Sequence, residues 1–274
     1  MLAVSAAAIF IRLADAPAVA VAFWRCALGA ALLLGPAFMR REQFPKGRDL
    51  YVGVASGVAL GAHFGFWIST LDYTSVAASV VLVSTQPVFV AILFGECTSP
   101  LSFAGILAAL AGTAVIAGDD SVGSAAPLGN ALALAGAVTV AVYVLIGRSS
   151  RTGGIRVLPY SVVVYSAAAL SLLPVALILD VKLWGYPGET WFWLWAITLG
   201  PQIMGHTVFN WALRYVEASI LSGTILAEPV VSALLAWLIL AEKPGLPTIF
   251  GGAVVLLGLF LLLHGRRLPS EPIA

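Results

Sequence analysis

The chain has 274 residues, 61% of them hydrophobic and only 10% charged, with a formal net charge of +1. Soluble domains carry roughly 25% charged residues, so one water-bounded core is excluded and the bilayer must solvate most of this apolar surface. The near-neutral balance excludes a basic nucleic-acid surface, and the two cysteines, Cys26 and Cys97, form neither a disulfide framework nor a zinc spacing.

A membrane-spanning helix needs roughly 20 mostly apolar residues. Ten segments are candidates: about 2–14, 17–38, 50–70, 74–95, 99–118, 125–147, 157–179, 189–212, 217–240 and 246–264. The first is short and lacks the basic leader of a signal peptide; a trimmed amino terminus would account for its length. Asp119-Asp120 with Gly123, and Arg148 to Arg156 with Gly153-Gly154, are the clearest polar breaks.

Span two carries Arg25 beside Trp24. An arginine at that depth snorkels, pairs with an acid or holds a carboxylate, and structural pairing is the preferred reading. Span three places Gly53, Gly57, Gly61 and Gly65 every fourth residue, a flat stripe for close helix packing. His63 lies about 200° around from Gly61 at 3.6 residues per turn. Ser56, His63, Trp67 and Thr70 therefore share the opposite face, which reads as the wall of a central cavity, with a simple interhelical hydrogen bond from His63 as the alternative.

Span four contains Gln86-Pro87. Proline removes a backbone donor and frees a carbonyl one turn back, which makes a hinge or a kink that contacts ligand. Tyr143 in span six and Tyr165 in span seven would suit a flat apolar ligand, although ordinary packing explains either one taken alone. Span eight presents Gln202, His206 and Asn210 four apart on one stripe, and span nine opens its proline with Glu228-Pro229. Glu228 is the only acid well inside a span, a functional candidate by default. It would carry a proton during transport, or stand as a neutral side chain bonded to a neighbouring helix. Trp184, Tyr186, Trp191, Trp193 and Trp195 read as an interfacial aromatic belt.

One pattern occurs in both halves. Tyr73 to Pro87 is fourteen residues, as is Tyr215 to Pro229; Glu96 to Gly105 is nine, as is Glu242 to Gly251. Pro17 and Pro159, Phe23 and Tyr165, and Tyr73 and Tyr215 all lie 142 residues apart, and His63 and His206 miss that offset by one. Pro87 to Glu96 spans nine residues against thirteen for Pro229 to Glu242, so span four ends a turn early or ends irregularly. Five spans per half turn the second copy upside down, the arrangement that gives alternating access. The predicted fold is thus all-α and integral to the membrane, with ten helices in two inverted five-helix repeats, residues 1–120 and 121–274. Gly105/Gly112 and Gly251/Gly258 read as helix–helix contacts.

Charge placement orients the chain. Arg40, Arg41, Lys46, Arg48, Arg148, Arg151, Arg156, Arg214, Arg266 and Arg267 fall on the side of the termini, against Arg12, Lys182 and Lys243 opposite. That bias predicts both termini in the cytoplasm.

The stretches AEPVVSALLAWLILAEKPGLPTIFGGAVVLLGLFLLL and YTSVAASVVLVSTQPVFVAILFGE resemble the EamA type of the drug/metabolite transporter superfamily. The resemblance covers nearly the whole chain. It implies a ten-helix inverted-repeat carrier that exports small metabolites, and within the family the chain looks most like the bacterial YddG-type aromatic amino-acid exporters of the inner (plasma) membrane. The expected site combines His63, Trp67, Gln86, Tyr143, Tyr165, His206 and Asn210 around an amino acid or similar metabolite, with Glu228, Pro87 and Pro229 as proton or hinge positions. No metal or organic cofactor is implied, and spans five and ten would support the bundle or form a homodimer. A nucleotide-sugar carrier would want several interior cations, where only Arg25 qualifies. An enzyme is disfavoured, because no H-E-x-x-H helix or supported nucleophile accompanies His63, His206 and Glu228.

Overall fold

The computed structural model describes residues 2–94, 99–117, 126–216 and 228–265. Glu96, Cys97, Asp119, Asp120, Arg266 and Arg267 lie outside them, as does the irregular end expected for span four. The described residues contain helices and no strand. Six helices are long and apolar enough to cross a bilayer, and shorter apolar helices accompany them. Large apolar side chains such as Phe103, Leu107, Phe250 and Phe260 remain exposed on the outside of the bundle, as a lipid-facing surface requires. This is a multi-pass membrane protein.

Span one divides into α1 (Leu2–Ser5) and α2 (Ala7–Ala14). Then follow α3 (Ala18–Met39), α4 (Arg48–Thr70), α5 (Val76–Val83), α6 (Gln86–Phe94), α7 (Pro100–Ala117), α8 (Ala126–Thr152), α9 (Val157–Ile178) and α10 (Gly188–Ile197). A π-helical segment (Thr198–Thr207) leads into α11 (Val208–Ala212), and α12 (Glu228–Leu240) and α13 (Leu246–His264) complete the chain.

Three predicted spans are therefore not continuous α-helices. In span one, the Ser5 carbonyl is taken by the Ser232 hydroxyl of α12 at 2.8 Å. In span four, Pro87 has no N–H and its ring crowds the carbonyl one turn back; α5 stops at Val83, and Thr85 Oγ1 satisfies the Leu82 carbonyl at 2.6 Å. Pro87 thus becomes the second residue of α6, where a missing donor costs nothing. In span eight, Pro201 interrupts the α-helical ladder and the chain widens into π geometry, which often marks a functional site.

The glycine stripe of α4 receives α9 running parallel to it: Gly53 faces Val163, Gly61 faces Ala168 and Gly65 faces Leu172. A Cβ on Gly61 would lie 2.9 Å from the Ala168 carbonyl oxygen. α7 and α13 cross antiparallel through glycines. A Cβ at Gly105 would stand 2.6 Å from the Gly258 carbonyl and one at Gly112 2.6 Å from the Gly251 carbonyl. Elsewhere α3 packs on α9, α8 on α4 and α5, and the span-one helices on α10, the π segment and α12. Spans three and six thus touch as spans eight and one do, and spans four and six as spans nine and one do.

Close approach makes Gly57 intolerant of a side chain, since its Cβ would meet Ala167 Cβ at 2.6 Å. Overpacking of this kind costs about 1–3 kcal/mol. Gly57→Val should lower the melting temperature in detergent by several degrees, whereas Gly35→Ala, where a Cβ meets nothing within 4 Å, should leave it unchanged or raise it.

Candidate functional site

Several interior polar residues line one cavity of about 80 Å³. Its walls come from both halves of the chain: Arg25, His63, Trp67, Ser84 and Gln86 from the first, Tyr143, His206, Phe209 and Glu228 from the second. Ligand pockets usually measure roughly 300–1,000 Å³, so this volume admits a few waters, and a metabolite requires the walls to part.

The two histidines meet here. His63 Nδ1 lies 2.9 Å from the Gly136 carbonyl, which only accepts, so Nδ1 carries the proton and Nε2 of the neutral ring remains an acceptor. The His63 ring is parallel to Trp67 at 6.0 Å and stands 6.4 Å from His206. Phe64 packs edge-on to His206 at 5.1 Å, and Tyr143 lies 6.2 Å from the same ring. An aromatic wall thus surrounds two imidazoles.

Asn210 and Tyr165 lie outside the lining. Asn210 is fully buried; its Oδ1 accepts from the Tyr143 hydroxyl at 2.7 Å, and its carbonyl accepts from Arg151 Nε at 2.9 Å. It fixes a wall residue rather than facing the cavity. The Tyr165 hydroxyl bonds Thr207 Oγ1 at 2.9 Å and braces the π segment, whose Gln202 carbonyl accepts from Thr207 Oγ1 at 3.3 Å. Gln86 opens α6 after the Ser84–Thr85 break, Glu228 is the first described residue of α12, and both line the cavity; Pro87 and Pro229 sit one residue further on.

Arg25 differs most from its sequence reading. It is 1% exposed, and no acid pairs with it among the described residues. Its Nε donates to Gln202 Oε1 at 2.9 Å, and its guanidinium lies 3.7 Å over the Phe64 ring. Phe64 is a contributor that the glycine-and-histidine pattern of span three does not reveal, because an aromatic next to a histidine in an apolar run carries no distinct signal. Trp24 turns away from the cavity: its indole N–H donates to the Leu183 carbonyl at 2.6 Å, and its ring packs edge-on against Trp184 and Trp191. Among the described residues no group of three or more His, Cys, Asp or Glu side chains is placed to hold a metal.

A profile of the EamA-like transporter family matches residues 1–118 and again 127–264. The chain belongs to this family. Three uncharacterized transporters of Archaeoglobus fulgidus are similar to it: one is 26% identical, with 88% of this chain and 86% of the relative aligned. A second is 23% identical over 92% and 89%, and a third 29% identical over 71% and 70%. A crystal structure with 21% sequence identity shares the fold at a TM-score of 0.69, covering 97% of this chain and 95% of that one. The protein is accordingly a membrane transporter of the EamA family and not an enzyme.

Each end of this transporter's bundle is tied by arginine. At one end Glu242 Oε1, in the connection between α12 and α13, accepts from Val76 N at 2.6 Å in the first turn of α5. Glu242 Oε2 lies 3.9 Å from Arg12 Nη2, which donates to the Thr74 carbonyl at 3.2 Å. At the opposite end Arg148 Nη1 donates to the Val216 carbonyl at 3.5 Å, and Thr74 and Val216 are again 142 residues apart.

Glu242→Ala should remove the acceptor of the Val76 N–H, while the Ser75 N-cap, whose Oγ accepts from Ala78 N at 3.1 Å, stays in place. Loss of such a hydrogen bond costs about 1 kcal/mol, so amide exchange over residues 76–79 should quicken about 5-fold. Arg12→Ala should do less, because its ion pair is half-exposed and such pairs are worth roughly 0–1 kcal/mol.

Proposed function

We propose that the protein exports small amphipathic metabolites, with amino acids, aromatic ones included, as the leading class, by alternating access through the central cavity. The observation that carries this reading is the shared cavity itself, which His63, Trp67 and Gln86 of one half line together with Tyr143, His206 and Glu228 of the other. Aromatic faces suit a flat apolar side chain, and the imidazoles and the glutamine offer it hydrogen bonds. This is also the reading that likeness to YddG-type aromatic exporters suggests.

The two halves, residues 1–120 and 121–274, are proposed to be inverted repeats. Three features support it: the antiparallel α7–α13 crossing through Gly105, Gly112, Gly251 and Gly258, helix contacts that recur when the halves are exchanged, and the matched ties of Arg12 to Thr74 and Arg148 to Val216. The breaks at Ser84–Thr85 and Pro201 adjoin the chamber and are the places for its walls to part, with Pro87 and Pro229 as hinges. Glu228 is the proposed proton carrier. The bias of basic residues to one side in the sequence supports an orientation with both termini on the cytoplasmic side of a plasma membrane.

Counterflow of labelled phenylalanine, tryptophan and leucine in proteoliposomes tests this. Uptake should saturate and exchange, where a channel would conduct without counterflow. His63→Ala and Trp67→Ala should each lower aromatic uptake by about 10-fold or more, since each removes a wall group. Glu228→Gln should abolish acceleration by a pH gradient while exchange persists; full retention of that acceleration removes the proton role.

A further inference from the structure

We infer that the cavity is a carboxylate site in which Arg25 receives the anionic group of the transported molecule, with Glu228 and His63 Nε2 as acceptors for a cationic ammonium. The inference rests on reading the cavity as the transport site, and it narrows the ligand from amphipathic metabolites to zwitterions and carboxylates.

The first support is the character of the buried polar atoms that lack a partner among the described residues. On residues that line the cavity these are Arg25 Nη1, Trp67 Nε1 and Ser84 Oγ, joined by Nε2 of Gln202, the residue that bonds Arg25 behind the wall. The three nitrogens only donate, and the hydroxyl donates or accepts. The Gln202 assignment follows from its partner: Arg25 Nε is a donor, so the amide oxygen faces it and the NH₂ points elsewhere. Elsewhere among the described residues the unpartnered atoms are mixed: the acceptors Glu42 Oε2 and Asn130 Oδ1, the donor Trp193 Nε1 and the Ser150 hydroxyl. The unpartnered atoms of this cluster share one requirement, an acceptor within reach of them.

The second support is charge. The two ion pairs among the described residues, Arg12–Glu242 and Arg156–Glu42, do not include Arg25. Gln202 and the Phe64 face orient its guanidinium but leave a unit charge in an apolar interior, a costly state that an anion relieves. A guanidinium fork matches a carboxylate with two parallel hydrogen bonds. A dianionic phosphate fits less well, because the cavity holds one fixed cation and an acid, Glu228. One cation, one acid and an imidazole acceptor match the two charges of an α-amino acid, and Trp67, Phe209 and Tyr143 line the remaining wall.

The test uses the full chain purified in detergent and four probes: L-phenylalanine, L-phenylalaninamide, 3-phenylpropanoate and phenethylamine, with binding read by calorimetry. Phenylalanine should bind about 10- to 100-fold more tightly than its amide, the range of a lost charge-assisted hydrogen bond, and phenylpropanoate more tightly than phenethylamine. In Arg25→Gln the phenylalanine-to-amide ratio should fall to within about 3-fold, and Arg25→Lys, which keeps the charge but not the fork, should retain part of it. Equal binding of phenylalanine and its amide by the unaltered protein overturns the inference, and that comparison stands whether or not the Arg25 variants fold. Phenylalanine transport with carboxylate discrimination intact in a folded Arg25→Gln also overturns it, while leaving the exporter reading in place. Should leucine and 4-methylpentanoate bind in an Arg25-dependent way where the aromatic probes do not, the carboxylate site holds and the aromatic preference falls. A panel in which no carboxylate binds overturns it.

Discussion

Hydrocarbon solvates neither charge nor unpaired backbone, and that constraint organises the interior of this transporter. Polar groups in the spans must find partners on other helices, and many partners come from the opposite half of the chain. Arg25 of α3 reaches Gln202 of the π segment, His63 of α4 reaches Gly136 of α8, Ser56 of α4 reaches Tyr160 of α9 at 2.8 Å, and Ser232 of α12 reaches Ser5 of α1. These bonds fasten one half to the other around the chamber. A membrane-buried arginine costs at least a few kcal/mol; a charge-assisted hydrogen bond returns about 1.5–3 and a desolvated cation–π contact about 2. Gln202 and Phe64 therefore hold the charge in place without neutralising it.

The departures from regular helix lie beside the chamber. The gap between α5 and α6 exposes Ser84 and Gln86 to it, and the π segment brings His206 and Gly205 to it. Irregular backbone is tolerated at membrane depth only where it is buried in protein or lines a cavity. Local side chains add bonds to carbonyls beside the breaks: Thr85 Oγ1 donates to Leu82, and Thr207 Oγ1, held by Tyr165, donates to Gln202. The support helices show the opposite behaviour. α7 and α13 are regular, meet through bare glycine backbone and contribute no residue to the chamber wall. The α7–α13 pair thus packs without lining the chamber, whereas α4 carries its glycine packing face and its chamber face on different sides of one helix.

Much of this was legible in the sequence. Apolar run lengths located the helices, because the bilayer sets one length for all of them. The spacing of Gly53, Gly57, Gly61 and Gly65 marked the α4 packing face, and the helical period alone put His63 and Trp67 opposite it. His63 and His206 come together, as their near-equal positions in the two copies suggested. Less legible were the internal breaks. Pro87 and Pro201 announce trouble in a ladder, but whether the chain kinks, stops or widens depends on how neighbouring helices pack against the interrupted turn. Tyr165 and Asn210 looked like lining residues because polarity and span position do not tell a cavity-facing side chain from one turned towards a neighbouring helix.

The sequence by itself determined the solvent, the helix positions and the faces each helix must bury, since these follow from composition and from the 3.6-residue period. Only the tertiary structure decided which buried polar groups satisfy each other and which are left facing the chamber. Arg25 carries that lesson: its charge and depth are plain in the chain, yet its partners, Gln202 and Phe64, stand 177 and 39 residues away. Hydrogen bonds act over a few ångströms, and only the packing of both halves sets which atoms lie that close.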